Sequence, residues 1–218
     1  MKLYYFDIYG RAESIRFLAA HAKVPIETVL VSNDVVPSPN GQPIAALKET
    51  GILEFGQVPV LEVDGKHLAQ SWAILRFLGR QHGYYPSDAD AAYQVDSTID
   101  AVEDFLGSYF KFMFEHDAER KKAAKETFMT KFLPNWLNAI EKRITKNSSQ
   151  KYIVGDKITI ADFALDNIGF NILLNEANPS YAETWEIIKD REVLKAYANS
   201  QKEELKEYLA SRPQPRPF

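Results

Sequence analysis

The sequence of 218 residues contains no cysteine. Disulfide bonds, thiolate metal sites and every mechanism that uses a cysteine nucleophile of the protein are therefore excluded. Any sulfur chemistry has to use sulfur that a substrate brings in. The histidines show no ligand spacing, so no metal site is predicted; they are His21, His67, His82 and His116.

Long hydrophobic runs and an excess of basic residues are also missing. No apolar run approaches the ~20 residues that a membrane-spanning helix needs. The opening residues, MKLYYFDIYG, alternate like a strand and lack the apolar core of a signal peptide, so a cytoplasmic protein is expected. A net charge of -4 gives no support for nucleic-acid binding. With 45% hydrophobic residues, the chain can bury a good core in one large or two small domains.

The most informative stretch is residues 55–78, FGQVPVLEVDGKHLAQSWAILRFL. VPVLEV is a β-branched run of strand type, and Asp64-Gly65 supplies a two-residue hairpin turn of the primed kind. Lys66–Ala69 is the short return strand. A helix with several large apolar residues follows.

Two places in this stretch suit a small peptide ligand. Val58-Pro59 lies at the entrance to a strand, where a proline is tolerated because it removes only a terminal ladder donor. A cis bond there would expose the backbone N–H and C=O of Val58. Gln70-Ser71 lies at a helix N-terminus, where free N–H groups and the helix dipole attract an anion such as a carboxylate.

The beginning of the chain predicts a β-α-β unit. Residues 1–9 alternate as a strand, Gly10 breaks it, and residues 11–22 have helical spacing, with Glu13 and Arg16 expected to face water. A second strand follows and is expected to pair in parallel with the first.

The order of predicted elements is that of a thioredoxin-like domain. A strand at 26–31 and a loop rich in Pro, Gly, Asn and Ser at 32–50 lead into the β-β-α unit described above. A change of pattern then predicts three parts, namely a domain of residues 1–80, a linker at 81–88 and an all-helical domain of residues 89–218.

The second half contains only helical patterns. Apolar residues from Val95 to Met113 recur at three- and four-residue steps, and Pro134 predicts a kink or break in the next helix. Thr159 and Asp162 form a capping box, which gives the Asp162 carboxylate a structural role. One or two further helices and a proline-rich segment, RPQPRPF, follow.

Five motifs occur in order at a characteristic spacing: Tyr5-Phe6 with Gly10-Arg11, FGQVPVLEVDG, Gln70-Ser71 opening a helix, Val102-Glu103-Asp104, and TIADFAL. Together they resemble the cytosolic glutathione transferases over nearly the whole chain, in particular the tyrosine-type classes, with sigma-like and some mu-like features. The resemblance implies an α/β N-terminal thioredoxin-like domain (βαβ-ββα) that binds glutathione, and an all-α domain that forms the hydrophobic substrate pocket. It also implies a homodimer and no metal.

The resemblance assigns roles to individual residues. Tyr5 and Arg11 are the catalytic candidates. The expected glutathione contacts are Tyr5, Lys48, Gln57, Val58, Gln70, Ser71 and, reaching the partner subunit's ligand, Asp104. The expected wall of the hydrophobic substrate pocket consists of Ile8, Tyr9, Phe110, Met113 and Phe114.

Two positions depart from the family pattern. Ile44 stands where a tryptophan usually lies four residues before Lys48, so one donor to the glycine carboxylate is missing. Tyr9 stands where an arginine often lies two residues before Arg11. Weaker glutathione binding than in a relative that keeps both residues is therefore expected.

A tyrosine hydroxyl suits activation of a thiol. A thiol with a pKa near ~8.5 is only about 3% thiolate at neutral pH, and the thiolate is the nucleophile. A hydrogen bond from the hydroxyl favours the charged sulfur. The first hypothesis is therefore conjugation of glutathione to hydrophobic electrophiles; the alternatives are a glutathione-dependent isomerase of the prostaglandin type and a non-catalytic binding or structural protein on the same fold.

Overall fold

A computed structural model describes residues 1–213 and 216 of the chain. Within them lies one mixed sheet with the strand order β3-β2-β1-β4-β5. The strands are β1 (Lys2–Phe6), β2 (Glu27–Ser32), β3 (Gln42–Pro43), β4 (Val60–Val63) and β5 (Lys66–Ala69). β1 pairs in parallel with β2 and antiparallel with β4, so it lies at the centre of the sheet.

Three helices accompany the sheet and the rest form a separate helical half. Those of the first half are α1 (Glu13–His21), α2 (Ile44–Glu49) and α3 (Ser71–His82). Those of the second half are α4 (Ala89–Met113), α5 (Ala118–Thr127), α6 (Leu133–Lys146), α7 (Ile160–Ile168), α8 (Tyr181–Ile188), α9 (Glu192–Glu204) and α10 (Lys206–Ser211). The predicted fold class, thioredoxin-like α/β followed by all-α, is confirmed.

The hairpin and the helix after it agree with the prediction in detail. Asp64 and Gly65 both have positive φ, 48° and 74°, as a primed turn requires. The Val58-Pro59 peptide bond is cis. Gln70 precedes α3 with φ 70°, so α3 begins at Ser71 as expected.

The first strand and helix differ from the prediction. β1 ends at Phe6, a bend follows, and Gly10–Ala12 form a 3-10 turn before α1. The expectation that Glu13 and Arg16 face water is wrong, since they are only 0% and 9% exposed. Both are buried because Glu13 binds Arg16 on the same helix and Arg212 from the far end of the chain, as described below.

The helical half follows its sequence signals. α4 runs over 25 residues, and a π-helical segment, Phe128–Phe132, precedes Pro134 in the first turn of α6. Thr159 and Asp162 form the capping box of α7. In the described part of the chain, three α-helices, rather than one or two, lie beyond α7, and α3 extends two residues into the predicted linker. Of the proline-rich segment, the positions 214, 215, 217 and 218 lie outside the described residues.

One hydrophobic core continues from the sheet into the helices. It includes Leu3 of β1, Leu18 of α1, Val102 of α4 and Phe163 of α7, all at most 1% exposed. α7 packs against α1 and α4. The turn after β1 is therefore held next to α4 and α7, and this is where the predicted catalytic residues lie.

Candidate active site

A cleft of about 280 Å³ lies where the approach to β4 and the start of α3 meet α4. Its lining residues are Arg11, Phe55, Gln57, Val58, Pro59, Ala69, Gln70, Ser71 and Glu103. Four of the seven residues predicted to contact glutathione thus lie around one opening, together with one of the two catalytic candidates. The lining as a whole comes from four separate segments of the chain.

The two ends of the cleft offer different chemistry. At one end, the Val58 backbone next to the cis bond lies at the entrance to β4. At the other, Ser71 begins α3, so the first N–H groups of the helix have no partner within the helix and point towards an incoming anion. The cleft can bind an extended peptide by its backbone and hold a carboxylate at one end.

Tyr5 lies near the end of β1, outside the lining of the cleft and in contact with Arg11, which lines it. Its hydroxyl accepts a hydrogen bond of 2.8 Å from the backbone N–H of Arg11. A hydroxyl group has one proton to donate. The proton of the Tyr5 hydroxyl has no acceptor among residues 1–213 and 216. The hydroxyl is therefore oriented by a backbone donor while its own proton is available to a ligand.

Burial sets the protonation state of Tyr5. The side chain is 5% exposed, and this burial raises the pKa of the hydroxyl. The Arg11 N–H and the positive charges of Arg16 and Arg11 act in the opposite direction without reversing the shift. Tyr5 is therefore a neutral hydrogen-bond donor at neutral pH rather than a base.

Arg11 is fixed by a carboxylate from the helical half. Its Nη1 and Nη2 donate to the two oxygens of Glu103 at 2.5 and 2.8 Å. The indole N–H of Trp72 donates to Glu103 at 2.7 Å. A bidentate pair of this kind holds the guanidinium plane in one orientation, here against the cleft.

Glu103 was not among the predicted site residues. Burial alone would raise the pKa of the Glu103 carboxyl group. The hydrogen bonds from Arg11 and Trp72 outweigh that effect and hold the pKa below its usual value. The sequence singled out the pair Glu103-Asp104, but neighbouring residues on a helix point in directions about 100° apart. A choice between them needs the position of Arg11.

Asp104 and Lys48 lie outside the lining of the cleft. Asp104 is exposed on α4, and its predicted contact is to a partner subunit's ligand. Lys48 is exposed at the end of α2, and its Cε would be 3.7 Å from a Cβ on Gly56. Lys48 is therefore within reach of the rim near Gln57.

Three of the five predicted pocket residues gather near Arg11. The Arg11 guanidinium lies 5.9 Å from the centre of the Phe110 ring, and Phe110 lies 5.4 Å from Phe114, which is 49% exposed. The Ile8 side chain lies over Gly10. Met113 is half-buried against the core.

Tyr9 does not lie in the pocket wall where the sequence predicts it. It is 2% exposed, its hydroxyl donates to the carbonyl of Pro213 at 2.8 Å, and its ring lies under the guanidinium of Arg212 at 4.1 Å. The side chain is thus occupied by the segment after α10 and turns away from the cleft. It takes no part in the substrate pocket.

In residues 1–213 and 216, no three His, Asp or Glu side chains are grouped as metal ligands would be. None of the helices in the described part of the chain combines the length and the apolar character needed to span a bilayer.

Comparison with known protein families gives two matches. The family model described as "Glutathione S-transferase, N-terminal domain" matches residues 1–80, and the one described as "Glutathione S-transferase, C-terminal domain" matches residues 103–212. The chain belongs to the glutathione S-transferase family. The matched regions of this family member contain both sides of the cleft, with Arg11 in the first and Glu103 in the second.

Individual relatives match from about three quarters of this glutathione S-transferase to almost its whole length. Glutathione S-transferase 3 of Caenorhabditis elegans is 32% identical over 222 residues, covering 99% of this chain and 98% of its own. Glutathione S-transferase A of Cavia porcellus is 33% identical over 166 residues, or 76% of this chain and 72% of its own. Among solved structures, prostaglandin synthase D of Nilaparvata lugens superposes with a TM-score of 0.79 at 29% identity, over 98% of each chain.

Proposed function

We propose that this protein binds glutathione in the cleft between β4, α3 and α4, activates its thiol as a thiolate, and conjugates it to hydrophobic electrophiles. One observation carries the proposal. The Tyr5 hydroxyl is buried and neutral, oriented by the Arg11 N–H, and retains a free proton beside a cleft that suits a small peptide.

Glutathione would lie along the cleft with its parts in the predicted places. The γ-glutamyl carboxylate would be bound at the start of α3 by Gln70 and Ser71, and the cysteinyl backbone would pair with Val58 beside Gln57. Lys48 would reach the glycine carboxylate from the rim. This orientation places the sulfur at the inner end of the cleft, next to Tyr5 and Arg11.

The Tyr5 hydrogen bond supplies most of the activation that the chemistry needs. Lowering a thiol pKa by ~2 units requires about 2.7 kcal/mol of differential stabilisation. A hydrogen bond to a charged group contributes about 1.5–3 kcal/mol, and burial strengthens it. The thiol proton leaves to solvent, and the thiolate then forms a C–S bond with the electrophilic carbon as its leaving group departs.

Arg11 and the apolar wall complete the site. The Arg11 guanidinium, held by Glu103, adds a positive field that favours the thiolate. Ile8, Phe110 and Phe114 would hold the electrophile beside the sulfur, which contributes by orientation rather than by changing the thiol.

The decisive experiment compares two adjacent tyrosines of β1. Tyr5→Phe removes the proposed donor, so kcat/KM with a chloro-dinitrobenzene substrate should fall by about 10- to 100-fold, the equivalent of 1.5–3 kcal/mol. Retention on glutathione-agarose should be kept. Tyr4→Phe is the matched control, because the Tyr4 hydroxyl donates to Glu62 at 2.7 Å on the other face of the strand.

Equal activity in Tyr5→Phe and Tyr4→Phe would contradict the proposal. Binding without turnover in the wild type would instead favour the non-catalytic alternative. A glutathione-dependent isomerase of the prostaglandin type is the second candidate. It is favoured by the likeness to the prostaglandin synthase D of Nilaparvata lugens and is tested by replacing the electrophile with a prostaglandin endoperoxide.

Several finer points belong to the same proposal. We assign residues 1–80 to the glutathione-binding domain, 81–88 to a linker and 89–218 to the helical domain. Family membership supports a homodimer in which Asp104 reaches the ligand of the partner subunit, and a role in detoxification in the cytoplasm. The exposure of Phe55, at 56%, beside the cleft is consistent with a partner surface there.

A further inference from the structure

The turn after β1 is held by side chains bound to three successive carbonyls. The Arg16 Nη1 donates to the carbonyls of Ile8 and Tyr9 at 3.1 and 3.4 Å. Asn167 of α7 donates to the carbonyl of Gly10 at 3.0 Å. Buried backbone carbonyls need such partners, so the two donors determine the path of the turn. This turn joins the catalytic tyrosine to the N–H that orients it.

Both donors are connected to one residue after α10. Arg16 donates to one oxygen of Glu13 at 3.0 Å, and the other oxygen accepts from Arg212 at 3.0 Å. Arg212 also donates to the amide oxygen of Asn171 at 2.7 Å, and Asn171 donates to Asn167 at 2.7 Å. The hydrogen bonds therefore form a closed ring around the turn, which we name the Arg212 ring.

The Arg212 ring is shielded from solvent. The side chains of Glu13 and Arg212 are 1% and 7% exposed, and Asn171 is 1% exposed. The Tyr208 hydroxyl also donates to the Glu13 oxygen that Arg212 binds, at 3.0 Å. Removing Arg212 would therefore leave the buried Glu13 carboxylate to Arg16 and Tyr208, and would leave the Asn171 amide oxygen without its guanidinium donor. The second cation of the Arg212 ring, Arg16, lies 5.7 Å from the centre of the Tyr5 ring. A change at residue 212 is thus transmitted to both the backbone and the electrostatic surroundings of Tyr5.

We propose that Arg212 is a positioning residue for thiol activation, an inference that rests on the proposed function. Through Glu13 and Arg16 it fixes one side of the turn, and through Asn171 and Asn167 the other. The Arg11 N–H is thereby held at hydrogen-bond distance from the Tyr5 hydroxyl. Arg212 itself lies in neither the lining of the cleft nor the proposed substrate wall.

The test measures the thiol pKa in the glutathione complex, from the ultraviolet absorbance of the thiolate. Arg212→Gln should raise that pKa by about one unit and lower kcat about threefold near neutral pH, approaching tenfold only below the wild-type thiol pKa, with KM for glutathione nearly unchanged. Arg212→Lys, which keeps the charge beside Glu13, should restore part of the loss. The control is Arg191→Gln, because Arg191 also forms an ion pair, with Glu141 at 2.5 Å, but within the helical half.

A merely structural role would lower the melting temperature of Arg212→Gln and leave the thiol pKa and kcat of the folded fraction at wild-type values; that result would overturn the inference. If Arg212→Gln fails to fold, Asn171→Ala replaces it, since this variant breaks the ring and leaves the ion pair with Glu13 intact. An unchanged thiol pKa in folded Asn171→Ala would be equally contradictory. Absence of any thiolate signal in the wild type would instead reject the proposed function itself.

Discussion

Asp166 is a buried carboxyl group that the proposed reaction does not use. It is 2% exposed, its Oδ2 has no hydrogen-bond partner in the described part of the chain, and it lines a cavity of about 70 Å³ between helices α6, α7 and α9. Burial, followed by the charge of Asp162 one turn earlier, raises the pKa of Asp166 well above its usual value. The protein therefore carries an ionisable group whose charged form is unfavourable in the folded state.

This has a predictable effect on stability against pH. Above the unfolded-state pKa of ~3.9 the folded state keeps a proton that the unfolded state has released, so stability falls as pH rises through the folded pKa. Each unit of that elevation corresponds to about 1.4 kcal/mol. Asp166→Asn should therefore be more stable than the wild type at neutral and alkaline pH, and the gain should shrink towards pH ~4, as measured by urea unfolding.

The neighbouring Asp162 provides a control of opposite sign. Its two oxygens accept hydrogen bonds from the backbone of Ile153 and Thr159 and from the Tyr197 hydroxyl. In Asp162→Asn, the side-chain NH2 group would face those same donors and could not accept their hydrogen bonds. This variant should therefore be less stable than the wild type. A stability gain of Asp166→Asn that did not vary with pH would show that its charge has no part in the effect.

Among secondary-structure elements, the turn after β1 has the tightest packing at the site. Gly10 has φ +45°, and a Cβ there would lie 2.5 Å from the Tyr5 hydroxyl oxygen. A residue with a side chain would thus be strained and would also displace the hydroxyl. Gly65 in the hairpin has φ +74° but open space around it.

Comparing Gly10 with Gly65 separates the effect of backbone strain from that of displacing the Tyr5 hydroxyl. Gly10→Ala and Gly65→Ala should each cost about 1 kcal/mol or more of stability, because both require a left-handed backbone. Only Gly10→Ala should lose activity, by tenfold or more, because it moves the Tyr5 oxygen. Chemical unfolding and the conjugation assay measure the two effects, and full activity in Gly10→Ala would refute the packing argument.

At the level of elements, the sequence predicts what depends on short-range signals. Asp64-Gly65, Gln70-Ser71 and the Thr159–Asp162 capping box were each predicted because turn and cap preferences act over two to four residues. Glu13 is expected in water because helical periodicity does not register a partner about 200 positions away, such as Arg212. Arg16 is expected in water because periodicity does not register the carbonyls of the preceding turn, which it binds. The same limit explains Tyr9, whose partner is Pro213.

At the scale of the whole molecule, the proposed dimer needs an apolar surface on each subunit. Phe55 is 56% exposed on the rim of the cleft, and Val35 is 70% exposed elsewhere in the first half. Phe55→Ser should shift the protein from dimer towards monomer in light scattering and weaken glutathione binding, because Asp104 of the partner subunit would be lost from the site. Val35→Ser should change neither. A wild type that is monomeric at assay concentration would rule out the Asp104 contact.

The two halves meet through residue pairs that are specific to one another. Arg11 and Glu103 form one such pair, and Glu13 and Arg212 form another. A chimaera that joined the sheet half of this chain to the helical half of a divergent homologue would separate both pairs at a single crossover. Recombination between such genes is therefore expected to give full activity only when positions 11 and 103 come from one parent, and likewise positions 13 and 212.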